Sequence, residues 1–136
     1  MSQTFRLTLK STFEESERIP DFVEKLQQSC NLSDDITSSF MLLLSEAVSN
    51  AIDHGNEGDP EKEVHILIDI SDSEIQASVK DEGEGFNPQV HKDPLQEENL
   101  LDARGRGLFL LNEMADSVTF SKNGTKLSFT LHRPKK

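Results

Sequence analysis

The sequence predicts an α/β domain: a two-layer sandwich in which helices cover one face of a mostly antiparallel mixed sheet. Three observations carry this prediction. Several short segments alternate apolar and polar residues, the period of a half-buried strand. Others place apolar residues three and four apart, the period of a helix with one buried face. The segments follow in the order strand, helix, helix, strand, strand, loop, helix, strand, strand, and such an order suits helices laid on one face of a sheet. A chain of 136 residues fits one domain, taken as 1–136.

The first strand is read from Phe5, Leu7 and Leu9, which alternate with Arg6, Thr8 and Lys10. A first helix is expected over Ser16–Gln28, with Phe22, Val23 and Leu26 on one face and Pro20 in its first turn, where a missing N–H does no harm. Ser33 before Asp34-Asp35-Ile36 is an N-cap signal for a second helix, which runs to about His54 and stops near Gly55. Phe40, Leu43, Leu44, Ala47, Val48 and Ala51 form its apolar face, and Glu46, Asn50 and Asp53 form a polar edge beside it. Asn56 to Lys62 reads as a polar turn.

Val64, Ile66, Ile68 and Ile70 give the next strand, and Ile75, Ala77 and Val79 within Glu74–Lys80 the one after, with Ser71-Asp72-Ser73 as the hairpin turn. Phe86 to Ala103 is a long polar stretch with Pro88, Pro94 and four acids, a length that loops reach mainly for functional reasons. A third helix is expected over Leu108–Met114. Val118 and Phe120, then Leu127, Phe129 and Leu131, form a last hairpin turned at Asn123-Gly124.

Composition excludes several classes of function. The net charge is −11, from 25 acidic and 14 basic residues. Nonspecific nucleic-acid binding relies on a basic surface, so no direct nucleic-acid partner is expected. An anionic membrane is excluded by the same sign, and a basic protein partner is favoured. Cys30 has no second cysteine to pair with, which suits a reducing compartment. No apolar run approaches a membrane span, and Met1–Arg6 lacks the apolar core of a signal peptide, so the expected location is cytoplasmic. His65, His91 and His132 show no ligand spacing with each other or with acids, and no zinc site is expected.

The glycines point to function. All seven fall in or beside four separated segments: Ser45–Gly55, Asp81-Glu82-Gly83-Glu84-Gly85, Arg104-Gly105-Arg106-Gly107-Leu108 and Gly124-Thr125. Glycine lets a backbone approach a ligand closely, so this clustering suggests one nucleotide site built from four pieces. Each piece alone is weak. The four in this order resemble the GHKL ATPase superfamily, and the short chain with this wording of the motifs looks most like the anti-sigma factor serine/threonine kinases of bacteria. The resemblance runs from about Phe5 to Leu131.

The resemblance implies a GHKL fold binding ATP with Mg2+. Asn50 matches the family's magnesium ligand, and Glu46, one helical turn earlier, its general base. Taken alone, the two residues are a solvated helix flank. Asp81 matches the aspartate that accepts a hydrogen bond from the adenine amine, with Gly83 and Gly85 leaving room for the purine; the plain alternative is an acidic turn. Gly105 and Gly107 precede a helix and offer backbone N–H groups to phosphate, and Arg104 and Arg106 can add charge-assisted contacts. A lone Arg-Gly-Arg-Gly could contact RNA, which the net acidity opposes. Thr125 matches a family threonine near the adenine aspartate, and also reads as an ordinary strand threonine. Residues 86–104 are the expected nucleotide lid. His54 is either a capping or surface residue or a contact on the phosphate side or with the partner. Arg18 either balances Glu14, Glu15, Glu17 and Asp21 or meets a partner carboxylate.

In function, the resemblance implies an ATP-dependent protein kinase that sequesters a sigma factor and phosphorylates a small anti-anti-sigma antagonist protein. Related kinases are dimers, so a homodimer is also implied. A non-catalytic ATP-dependent binding switch is the main alternative, opposed by Glu46, since binding alone requires no base beside the metal. A regulatory kinase of the same fold acting on a non-sigma partner is another. A catalytic fragment of a histidine kinase is opposed by the missing helical hairpin with its phospho-acceptor histidine.

Overall fold

The computed structural model describes residues 2–56, 59–83, 111, 113–121 and 125–133. Strand β1 (Gln3–Lys10) buries Leu9 and half-buries Phe5 and Leu7, as the alternation requires. The first helical region differs from the expected single helix. Thr12 accepts a hydrogen bond from the Glu15 N–H (3.2 Å) and caps a short turn, α1 (Phe13–Ser16), with Glu14 and Glu15 in its first turn. The chain then restarts at Glu17 as α2 (Arg18–Cys30), which buries Ile19, Val23 and Leu26 and half-buries Phe22. Asn31 ends α2 in the left-handed region (φ 52°), a conformation asparagine tolerates at a helix C-terminus. The Arg133 guanidinium donates to the carbonyls of Cys30 (3.3 Å), Asn31 (3.4 Å) and Ser71 (2.7 Å), so a cation meets the negative end of the helix.

Helix α3 (Asp34–Asn50) starts where expected, with the Ser33 side chain accepting from the Ile36 N–H (3.3 Å). Phe40, Leu43, Leu44, Ala47 and Val48 are buried on its core face. The helix does not continue as α to His54. From Ala51 to Gly55 it widens into a π turn, closed by the Asn56 N–H donating to the Ala51 carbonyl (2.8 Å). The three-and-four spacing rule therefore holds through Asn50 and stops there, leaving Asp53 exposed on the widened turn.

Strands β2 (Glu63–Ile70) and β3 (Glu74–Lys80) form the expected hairpin, closed by the Ser71 N–H donating to the Glu74 carbonyl (2.9 Å). Strands β4 (Ser117–Ser121) and β5 (Lys126–His132) form the second, and the sheet order is β1-β2-β3-β5-β4 with all four ladders antiparallel. Leu111, Glu113 and Met114 are helical, and Leu111 is fully buried in the core. The rest of the expected third helix, the loop at 86–103 and the Asn123-Gly124 turn lie outside the described residues.

The helices cover one face of the sheet. Val64, Ile66, Ile68 and Ile70, Ile75, Ala77 and Val79, and Leu127, Phe129 and Leu131 are all buried against them. Phe40 of α3 meets Phe129 of β5 with ring centroids 6.1 Å apart and planes at 48°, a tilted aromatic pair that joins the two layers. The other face carries His65, Asp69, Gln76 and Ser128, which alternate with the buried set. The architecture is the predicted two-layer α/β sandwich. Among the described residues no helix is long and apolar enough to cross a membrane.

Candidate nucleotide site

Four strand ends, the ends of β1 and β3 and the starts of β2 and β5, meet the end of the long helix at one corner. Asp81 follows β3 directly and is only 7% exposed. Its N–H donates to the Thr125 carbonyl (2.8 Å), and its Oδ1 accepts from the Gly83 N–H (2.8 Å). An aspartate that bonds the N–H two residues on forms a local turn, which orients the carboxylate. Three sequence-predicted residues, Asp81, Gly83 and Thr125, are thus brought together. Thr125 contributes through its backbone, immediately before β5 begins.

Asn56 locks this corner to the helix. It is completely buried. Its Nδ2 donates to Ser11 Oγ (2.5 Å) and to the Glu63 carbonyl (3.0 Å), and its Oδ1 accepts from the Glu82 N–H (2.7 Å). One side chain thus joins the segment after β1, the start of β2 and the residue next to Asp81. In sequence, Asn56 reads as the first residue of a polar turn. Nothing in local spacing distinguishes it, because its partners come from three distant segments and it points inward only through the π turn before it.

Glu46 and Asn50 both lie on the α-helical part of the chain, half-buried. Residues one turn apart on a helix have Cβ atoms about 6 Å apart, so the carboxylate and the amide share an edge. Among the described residues Asn50 Nδ2 is buried with no hydrogen-bond partner. A buried amide donor without an acceptor is costly, and it calls for an acceptor from water, an ion or a ligand. A phosphate oxygen would satisfy that nitrogen, and the amide oxygen is the hard donor that magnesium takes. The residues here fit a magnesium–phosphate group on this observation. His54 falls in the π turn, with its side chain outside the described set. Gly85, Arg104, Gly105, Arg106 and Gly107 also lie outside it.

Arg18 is half exposed and occupied locally: its Nη1 donates to the Thr8 carbonyl (3.4 Å) and to Glu15 Oε1 (3.5 Å). Cys30 is half-buried at the end of α2, and burial pushes its thiol above the usual range while Arg133 partly offsets the rise.

The family model of the histidine kinase-like ATPase domain matches residues 9–131. The chain belongs to that family. Within it, this histidine kinase-like ATPase domain is similar to the anti-sigma F factor of Bacillus cytotoxicus, 34% identical over 93 residues that cover 65% of this chain and 64% of the relative. The anti-sigma F factors of Bacillus thuringiensis and Bacillus mycoides are 33% identical over the same shares. The chain thus spans 64% of the length of the curated relatives it matches. This is the GHKL type of domain that the four glycine-bearing segments resemble, related to anti-sigma F factors, and the match supports ATPase- or kinase-type chemistry.

Proposed function

We propose that this protein is an ATP-dependent serine/threonine protein kinase of the anti-sigma factor type, which sequesters a sigma factor and phosphorylates a small antagonist protein. The observation that carries this reading is the corner at Asp81: a buried carboxylate, oriented by Gly83 and tied to Thr125, anchored through Asn56 to the end of the helix that bears Glu46 and Asn50. Adenine selection and phosphate chemistry belong to different motifs, and a kinase needs them at a set separation.

In this reading Asp81 accepts from the adenine amine, and Gly83 and Gly85 admit the purine beside the backbone. Thr125 supports Asp81 from the neighbouring strand. Asn50 would hold magnesium, which when bound supplies charge neutralisation at the phosphates. Gly105 and Gly107 offer backbone N–H groups to those phosphates, and Arg104 and Arg106 add charge. Glu46 takes the proton from the attacking serine or threonine hydroxyl of the antagonist. The same reading assigns the whole chain, 1–136, to one kinase domain with residues 86–104 as its nucleotide lid, places it in the cytoplasm and gives it a homodimeric state.

The test is phosphoryl transfer from ATP to a candidate antagonist, with Glu46→Ala beside the wild type. The proposal expects the variant to bind ATP and to lose transfer. Transfer at the wild-type rate would remove Glu46 as the base. ATP binding without transfer by the wild-type protein to any antagonist would favour a non-catalytic binding switch.

A further inference from the structure

On the open face of the sheet, Glu63, His65 and Glu82 gather at the end where β2 begins and β3 has just ended. All three are exposed, and their ligand-capable atoms lie within 4.8 Å of one another. His65 Nε2 and Glu82 Oε2 are 2.9 Å apart. Glu63 and His65 are two apart on one strand, so both side chains leave the same face. Glu82 comes from a different strand end, which is why histidine spacing along the chain carries no sign of the cluster.

The backbones beneath the cluster are pinned. Asn56 Nδ2 donates to the Glu63 carbonyl (3.0 Å), and Asn56 Oδ1 accepts from the Glu82 N–H (2.7 Å). One buried amide therefore sets the spacing between two of the three donor residues. His65 is held by the β2–β3 ladder, where it is paired with Lys80. Three donors on fixed backbones lose little freedom on meeting an ion, which distinguishes them from acids scattered on a mobile surface.

We propose that Glu63, His65 and Glu82 form a binding site for a divalent transition-metal ion of the zinc class. Zinc takes an imidazole nitrogen at about 2.0 Å and carboxylate oxygens at about 2.1 Å, which sets neighbouring ligand atoms roughly 3.4 Å apart in a tetrahedral shell. The ligand-capable atoms, within 4.8 Å of one another, already lie close to that spacing. The nitrogen donor selects zinc over magnesium, which prefers oxygen ligands throughout. Three protein ligands leave a fourth position for water. The net charge of −11 favours any cation, while Lys10 and Lys80, the cross-strand partners of Glu63 and His65, make the site weaker than a closed four-ligand one. None of the three donors is assigned to the nucleotide, although Glu82 adjoins Asp81, and the inference stands whether or not the kinase reading holds.

The experiment titrates zinc chloride into the metal-free full chain against a weak chromophoric chelator, in millimolar magnesium. The wild type is expected to take one equivalent in competition with the chelator. His65→Ala and Glu82→Gln should each weaken that binding at least about tenfold, the size of effect that supporting groups alone produce at metal sites. His132→Ala and Cys30→Ser serve as controls and should bind as the wild type does, because His132 faces Asp116 and Glu74 at the other end of these strands. All of the substituted cluster residues are exposed, and unchanged urea midpoints will show the variants folded. Zinc uptake by His65→Ala at wild-type affinity overturns the proposal, as does a wild type that fails to compete with the chelator or a loss confined to His132→Ala.

Discussion

Asn56→Ala is the most informative perturbation of this fold. The substitution removes three hydrogen bonds at once: to Ser11 Oγ, to the Glu63 carbonyl and from the Glu82 N–H. These do not weigh equally. The Ser11 hydroxyl is itself buried but can rotate to donate elsewhere, and Glu63 and Glu82 are exposed enough for water to reach part of their backbone. Leaving a buried polar group unpaired costs about 1–3 kcal/mol. Charging the full amount to one group and a fraction to the others, with the small void left by the amide, gives roughly 3 kcal/mol. With a urea slope of about 1.5 kcal/mol per molar, the midpoint should fall by about 2 M at unchanged slope. Ser11→Ala removes a single partner and should cost about 1 kcal/mol.

Asn56→Asp sharpens the test. The introduced carboxylate can still accept from the Glu82 N–H, but it turns an acceptor towards the Glu63 carbonyl where a donor stood. The folded state then favours the protonated acid, so the folded pKa is raised. A group with a raised folded pKa is more stabilising in its protonated form, so this variant should regain stability as the pH falls through that value. The wild type, lacking that group, should not gain in the same window. An Asn56→Ala midpoint within error of wild type, or an Asn56→Asp variant insensitive to acid, would refute the role given to this side chain.

Four other outcomes are expected. Asp81→Asn should weaken ATP binding without lowering the urea midpoint by much, and the wild type should prefer ATP to GTP, since the carboxylate would face a guanine carbonyl; equal affinities in calorimetry would remove its role. Glu46→Ala should keep ATP and lose transfer by about a hundred-fold to ten-thousand-fold, while Asn50→Ala should weaken the magnesium-dependent part of binding, both read by filter-bound phosphate and calorimetry. Cys30 has a raised thiol pKa, so the unfolded chain ionises first as the pH passes the ordinary thiol value of 9.0, and the Cys30 contribution to stability falls with rising pH there; Cys30→Ser should flatten that slope in urea titrations. Arg18→Ala should leave ATP affinity and stability nearly unchanged, because its contacts with Glu15 and the Thr8 carbonyl are long and exposed; a pull-down with the cognate partner then decides whether Arg18 also serves that surface.

The layers of the fold were legible because burial imposes a period on sequence. Val64, Ile66, Ile68 and Ile70 alternate and are all buried, and Glu74–Lys80 coincides with the third strand. Ser33 announced the start of α3 through a local bond, the kind of signal a sequence carries directly. The two misjudged helix boundaries have separate causes. Thr12 starts a separate short turn because its cap competes with the longer apolar pattern downstream, and the π turn after Asn50 depends on a bond from Asn56 to Ala51 that apolar periodicity does not encode.

The site divides in the same way. Glu46 and Asn50 share an edge because they share a helix, and Asp81 and Gly83 meet because they are two residues apart; spacing put each pair together, while their nucleotide roles came from the resemblance of the four segments. Thr125 reaches Asp81 through its carbonyl, and any residue at that position could supply this contact, so the threonine side chain is not what the backbone bond requires. Asn56 could not be found by spacing at all. Its side chain bonds residues from three strand ends, and its inward direction follows from the single extra residue in the π turn. That extra residue gives the corner its physical logic. A regular α-helix to Gly55 would turn the following residue by a different angle, and the one buried amide that ties Glu82 to Glu63 would leave its partners. The widened turn beside Asn50 therefore carries Asn56 to the Glu82 N–H next to Asp81, and removing one residue from Ala51–Gly55 should lower the urea midpoint as Asn56→Ala does; an unchanged midpoint would refute this role of the turn.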